Sequence, residues 1–214
     1  MSVASAFGNV MLPETYLNIV LNKPVNRSTG LSGQYASEHY SANTLYQFEV
    51  GISPGKSYSE NRNDILDIEQ SMKDQTQFVY TMAIPGFTTY QGDVTDLANV
   101  THTSSVHGES NVYVNTTAVT GSPSGNLVRA GDWIRVGGFG SGGFTQVTAD
   151  VPFSSSSNIA IPLSRPNIRV GSVQLYNVSP FFNVKFAEYN PYTIQPYDRL
   201  QYKNPSVKLI EVLQ

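Results

Sequence analysis

Gly138, Gly140 and Gly143, in the stretch RVGGFGSGGF, have the spacing G-x-G-x-x-G. That spacing cradles a dinucleotide pyrophosphate when a strand runs into the glycines and a helix starts at them. A strand is present in DWIRV (132–136), but FTQVTADVPF (144–153) follows, β-prone and closed by Pro152, and Ile161 to Ser164 stand where an acidic residue would meet a ribose. The glycines are therefore expected at the tip of a β-hairpin, where positive φ is tolerated. Asp132, in the turn before Trp133, is expected to bond nearby backbone.

Metal or hydrolytic chemistry would have to come from His39, His102 and His107 with Asp93, Asp96 and Glu109. The H-x4-H spacing of His102 and His107 lies in a Thr/Ser/Val-rich segment, and an odd separation puts the two rings on opposite faces of a strand. No G-x-S-x-G elbow in a strand-turn-helix context is present, and cysteine is absent, so thiolate ligands and a Cys nucleophile are excluded. No catalytic, cofactor or metal residue is assigned, and neither enzymatic activity nor a cofactor is expected.

The elements that would carry any site are strands. In LYQFEVGI, Tyr46, Phe48, Val50 and Ile52 alternate with Gln47, Glu49 and Gly51, the pattern of a half-buried strand. Further strands are expected at Tyr16–Leu21, Phe78–Ile84, Asn111–Val119, Asp132–Val136, Phe144–Thr148, Asn158–Leu163, Val170–Val178, Phe182–Tyr189 and Val207–Leu213. One segment has helical spacing: Ile65, Ile68 and Met72, with Leu66 beside them, predict a single helix over Glu60–Asp74 with Ser59 as its N-cap. The polar stretch 27–43 lacks a core pattern and reads as an arm. NPYTIQPYDRLQYKNP (190–205) reads as an extended edge or a Pro/Tyr-rich arm docking through aromatic faces.

Composition narrows the partners. Charged residues make up 14% of the 214 residues, and the net charge of −3 comes with no basic run, which argues against direct nucleic-acid binding. No apolar run is long enough for a membrane span, and the N-terminus lacks a signal-peptide pattern, so a soluble protein made in a cytoplasm and without membrane insertion is expected. A weakly charged polar surface suits packing against copies of the same chain.

The order of motifs resembles a known family. LYQFEVGISP, then ILDIEQSMKDQ, then TQFVYTMAIPGF, preceded by TGLSGQ (29–34), is similar to the N-terminal unit of bacteriophage distal tail and related minor tail (baseplate hub ring) proteins. LVRAGDWIRVGG, FTQVTADV and NIAIPLSRPNIRV continue the likeness to about residue 170. The glycine loop is longer than that family's compact turn, and the C-terminal Tyr/Pro arm has no counterpart in it.

The fold expected is mainly β: an antiparallel β-sandwich or barrel with one short helix, plus a second small β-barrel-like subdomain. Residues 1–90 would form the first unit with its arm, 91–163 the second, and 164–214 would return to pack on the first. The resemblance implies a virion structural protein, made in a host bacterium's cytoplasm, that forms a homo-oligomeric, hexameric ring at the distal end of a tail tube. Its partners would be further copies and other tail or baseplate proteins. A tail tube, terminator or capsid-decoration protein, and a glycan-binding β domain, are the alternatives. Leu31, Tyr35, Tyr40, Trp133, Phe139, Tyr192, Tyr197 and Tyr202 are the candidate interface residues.

Overall fold

The computed structural model describes residues 17–22, 25–29, 35–40, 44–51, 58–82, 84–121, 123–137, 143–166, 171–175, 180–188, 194–195, 201–202 and 206–212. In chain order the first strands are β1 (Leu17–Asn22), β2 (Val25–Thr29), β3 (Tyr35–Tyr40), β4 (Leu45–Gly51) and β5 (Phe78–Thr81), with helix α1 (Tyr58–Asp74) between β4 and β5. There follow β6 (Thr101–Ser105), β7 (Asn111–Asn115), β8 (Asn126–Val128), β9 (Trp133–Val136), β10 (Phe144–Gln146), β11 (Val151–Pro152), β12 (Ile159–Pro162) and β13 (Val173–Gln174). The last are β14 (Phe181–Phe186), β15 (Ile194–Gln195), β16 (Gln201–Tyr202) and β17 (Ser206–Glu211). Strand outweighs helix, 45% to 11%, so the protein is mainly β, with one α-helix among the described residues and several antiparallel sheets.

The chain divides into two compact units: residues 1–22, 45–81 and 182–214 form the first, and 23–44 with 82–181 the second. These bounds differ from the expected ones. The 23–44 segment groups with the second unit, and so do residues 164–181.

In the first unit a five-stranded sheet runs β1-β4-β17-β14-β5. Alternation in β4 does what period 2 dictates: Tyr46, Phe48 and Val50 are buried while Gln47 and Glu49 are half-exposed. In register, Phe48 lies between Ile19 and Leu209, so apolar side chains share one face. Phe182 meets Tyr46 and Phe48 at ring distances of 5.5 and 4.8 Å. From α1, Ile68 and Met72 are buried and Leu66 is exposed, as an amphipathic helix requires. The helix begins at Tyr58, so Ser59 lies inside it rather than capping it.

The second unit is built around the β9–β10 hairpin, paired antiparallel with Trp133 opposite Gln146. Gly138 and Gly140 lie outside the described residues, but Gly143 is followed by strand β10, so the helix that a dinucleotide site needs is replaced by a β-ladder. β13 flanks β9 on the other side. Past β10, Val147 bridges Leu163, and Ser164 N donates to the Gln146 carbonyl (2.8 Å), which ties the hairpin to β12. β12, β7 and β6 continue the strip. Ser105, the last residue of β6, accepts a hydrogen bond from Gly171 N (3.1 Å) just before β13, and so joins the strip's two ends. Val112, Val114, Leu127, Val128, Ile134 and Ile161 fill the enclosed core.

Several strands stop short of their sequence-based limits for local reasons. Asn115 ends β7 because its Oδ1 accepts the Thr117 N–H (2.9 Å), turning the backbone. β5 ends at Thr81, beyond which Ile84–Phe87 form a turn closed by Phe87 N to Ile84 O (3.1 Å), with Gly86 at φ +78° after Pro85. The 27–43 segment, read as a patternless arm, contains the antiparallel hairpin β2–β3, with Arg27 opposite Glu38. Strands of mixed, mostly polar sequence such as VNRST and YASEHY carry no regular apolar alternation to detect. The C-terminal arm likewise contains a short antiparallel pair, β15–β16.

Candidate interface

Asp93, Asp96 and Asp132 are occupied in holding backbone. Asp93 accepts hydrogen bonds from Asn126 N (2.7 Å) and from Arg129 Nη2 (3.0 Å), and these hold its carboxyl below the usual range. Asp96 accepts from Asn99 Nδ2 (2.9 Å), from Thr120 N (2.9 Å) and from Thr120 Oγ1 (2.8 Å), with the same effect on its pKa. Asp132 does what its turn position suggests and more: its two oxygens accept the N–H groups of Gln91 and Arg129, both at 2.8 Å. It is buried, and desolvation pushes its pKa up against the pull of those bonds. Asp150 accepts from Ala130 N (2.9 Å).

The histidines divide. His102, half-buried in β6, places Nε2 3.1 Å from Ser105 Oγ, and burial pushes its pKa down. His107 sits exposed in the turn after β6, and His39 stands opposite Asn26 in the β2–β3 register. Glu109 is exposed, and its N–H donates to the Val106 carbonyl (3.2 Å). Among the described residues no group of three or more His, Asp or Glu side chains is arranged to hold a metal ion. Nor is any helix among them long and apolar enough to cross a membrane.

What the two units offer outward is apolar surface and strand edge. Among the described residues the outer strands of the first unit's sheet are β1 and β5. Neither contains a charged residue or a proline, the usual devices that stop an edge from pairing. Val20 (46% exposed) and Val79 (45%) project from them, and Leu66 projects from the helix. Leu21 lies in register with Tyr46 on the core side, yet it is 37% exposed, so the apolar face runs out to the β1 edge incompletely covered.

In the second unit Trp133 is buried, and the 41%-exposed Phe87 meets its ring edge-on at 6.2 Å. The surface thus presents Phe87, carried on the Ile84–Phe87 turn, rather than the tryptophan. Thr88 Oγ1 stiffens that turn by accepting from Ile84 N (3.0 Å). Val106 is also exposed.

Of the other candidate interface residues, Tyr35 and Tyr40 are the first and last residues of β3, and Tyr202 ends β16. Leu31, Phe139, Tyr192 and Tyr197 lie outside the described residues. Sequence reasoning passed over Val20, Val79 and Phe87. For Val79 the signal was present, since Phe78 and Tyr80 alternate inward around it.

No protein-family model matches the chain, and no curated protein matches it in sequence.

Proposed function

We propose that the protein is a non-enzymatic structural component of a phage tail or baseplate, forming a ring, hexameric by the resemblance, at the distal end of the tail tube and linking it to hub or host-recognition components. The observation that carries this reading is the first unit's sheet, which has two different outer strands, β1 and β5, both uncharged and both bearing exposed valines. A ring needs a head-to-tail interface in which unlike surfaces meet and close. Two unlike edges of one sheet meet that requirement through main-chain hydrogen bonds, with side chains on alternate positions setting register. The low charge of the chain supports the same reading, because copies then bury surface with few desolvated ions.

Mechanism in such a protein is positioning. The acids and His102 contribute by bracing loops of the second unit, and the arm segments 27–43 and 190–205 are the parts proposed to wrap or pair with neighbours.

The test is the mass of the purified protein in solution together with low-resolution imaging of particles carrying a labelled copy. Rings of defined size, or label at the distal end of a tail, support the reading. A strict monomer that never joins a particle overturns it.

A further inference from the structure

Asp132 precedes β9 and is 2% exposed. Its Oδ1 accepts the Gln91 N–H and its Oδ2 the Arg129 N–H, both at 2.8 Å, so one buried carboxylate ties the segment 84–93 to the turn that leads into the β9–β10 hairpin. Within that segment the Phe87 turn closes on itself: Phe87 N and Thr88 N both donate to the Ile84 carbonyl (3.1 and 2.9 Å), and Gln91 Nε2 donates to the Thr89 carbonyl (2.9 Å). Tyr90 Oη, donating to the Leu127 carbonyl, is a second tie to the hairpin's approach. Phe87 itself rests edge-on against Trp133, the residue next to Asp132.

The ionisable groups acting on Asp132 are Arg129, which favours its carboxylate, and Asp150, which opposes it. Arg129 is shared with Asp93 (3.0 Å), and Asp150 with Ala130 N (2.9 Å). Tyr90 feels the same carboxylate, but burial pushes its pKa up to about 12, so it stays neutral in acid. Gln91 and Val147, whose N–H donates to the Asp132 carbonyl (2.9 Å), are uncharged. Burial of Asp132 outweighs its two backbone bonds, so the folded carboxyl takes a proton above the ordinary aspartate range, ahead of Asp93 and Asp96. Linkage is mutual: N–H donors that favour the carboxylate are loosened by the same factor when it is protonated. The stability this group contributes is complete below its unfolded pKa and lost as pH rises through its folded one, so protonation relaxes the two bonds without unfolding the unit.

We propose that Asp132 is an acid-sensitive latch: proton uptake by its carboxyl releases the Gln91 and Arg129 amides, and the turn carrying Phe87 swings off the edge of Trp133 about the Tyr90–Leu127 bond. The exposed phenylalanine is thereby presented in two arrangements set by pH. The latch works within one chain and requires no assembly.

The experiment follows the full chain from about pH 7 to about pH 3 by two-dimensional amide NMR and by the fluorescence of Trp133, the sole tryptophan. The Gln91 and Arg129 amide resonances are expected to shift together, with one midpoint above the ordinary aspartate value of about 3.9. The Asn126 and Thr120 amides, which report Asp93 and Asp96, are expected to shift at lower pH. Trp133 emission should change with the first midpoint while the β7 and β12 amides stay in place, and Asp132→Asn should abolish that fluorescence step.

A Gln91 amide that moves with the Asn126 amide, or a fluorescence step that survives in Asp132→Asn, overturns the proposal. Flat fluorescence while the Gln91 and Arg129 amides titrate overturns it as well, because the proton then reaches Asp132 without moving the turn. Loss of the β7 and β12 amide signals at the same midpoint does so too, since acid would then be unfolding the unit. If Asp132→Asn does not fold, the order of midpoints in the wild-type chain and their match to the fluorescence step decide.

Discussion

Replacing Gly143 by alanine separates a structural role for the glycine cluster from a ligand-binding one. A Cβ at this position points into the carbonyl oxygen of Val136, a backbone atom that cannot swing aside, with the Val136 carbonyl carbon 3.0 Å away. Gly143 O also accepts the Val136 N–H at 2.8 Å, so relieving the clash means prising β10 from β9 where the hairpin leaves its tip. Overpacking costs about 1–3 kcal/mol and a weakened ladder bond about 0.5–1.5 kcal/mol, which together give about 2–4 kcal/mol. For a chain of this size that is a fall in Tm of about 5–15 °C. Trp133, the sole tryptophan, lies on β9 opposite Gln146, so its fluorescence reports the hairpin during thermal unfolding. Gly86→Ala is the control: it meets open space at φ +78° and should cost about 1 kcal/mol from backbone conformation alone. A Gly143→Ala protein melting within about 2 °C of the wild type would refute the close-approach reasoning. Unchanged stability with lost dinucleotide affinity would restore the phosphate-cradle reading.

Phe182→Ala removes a fully buried ring packed on Tyr46 and Phe48 and should cost about 3–5 kcal/mol, read from urea unfolding followed by far-UV circular dichroism. The hydrogen bonds from Asn126 N and Arg129 to Asp93, and from Asn99 and Thr120 to Asp96, hold both folded carboxyls below the ordinary aspartate range. Their contribution is therefore complete well above that range and is lost as pH falls below about 4 toward their folded values. The double variant Asp93→Asn, Asp96→Asn should show a shallower fall in Tm between pH 5 and pH 2.5, and an identical slope would sink the assignment. A fragment spanning 82–181 should fold on its own, because its ends are joined by Met82 N to Pro180 O (2.7 Å) and its apolar core lies within residues 94–175. Dispersed amide resonances in a two-dimensional NMR spectrum would show this, and a collapsed, undispersed spectrum would refute it.

Elements that bury one face were readable along the chain, because one-sided burial leaves a period in the residues themselves. β4 showed it through Tyr46, Phe48 and Val50, and α1 through Ile68 and Met72. The turn role of Asp132 and the hairpin character of 133–146 were also legible, since both depend on near neighbours. β2–β3 was not, because VNRST and YASEHY carry no regular apolar alternation. The burial of Arg135 and Arg165 was hidden as well: arginine in a strand or turn reads as solvent-facing unless its partners are known, and here those include the Phe144 and Thr44 carbonyls for Arg165 and the rings of Phe144 and Phe181 for Arg135.

The sequence by itself determined that this is a mainly β protein with an amphipathic helix over the segment 58–74 and a strand rather than a helix after Gly143, since local periodicity and turn chemistry need only nearby residues. The tertiary structure alone decided that β17 returns to pair with β4, that residues 23–44 belong with the second unit, and that the acids brace backbone. Those outcomes depend on which distant groups satisfy one another's hydrogen bonds once water is excluded, and no local pattern encodes that choice.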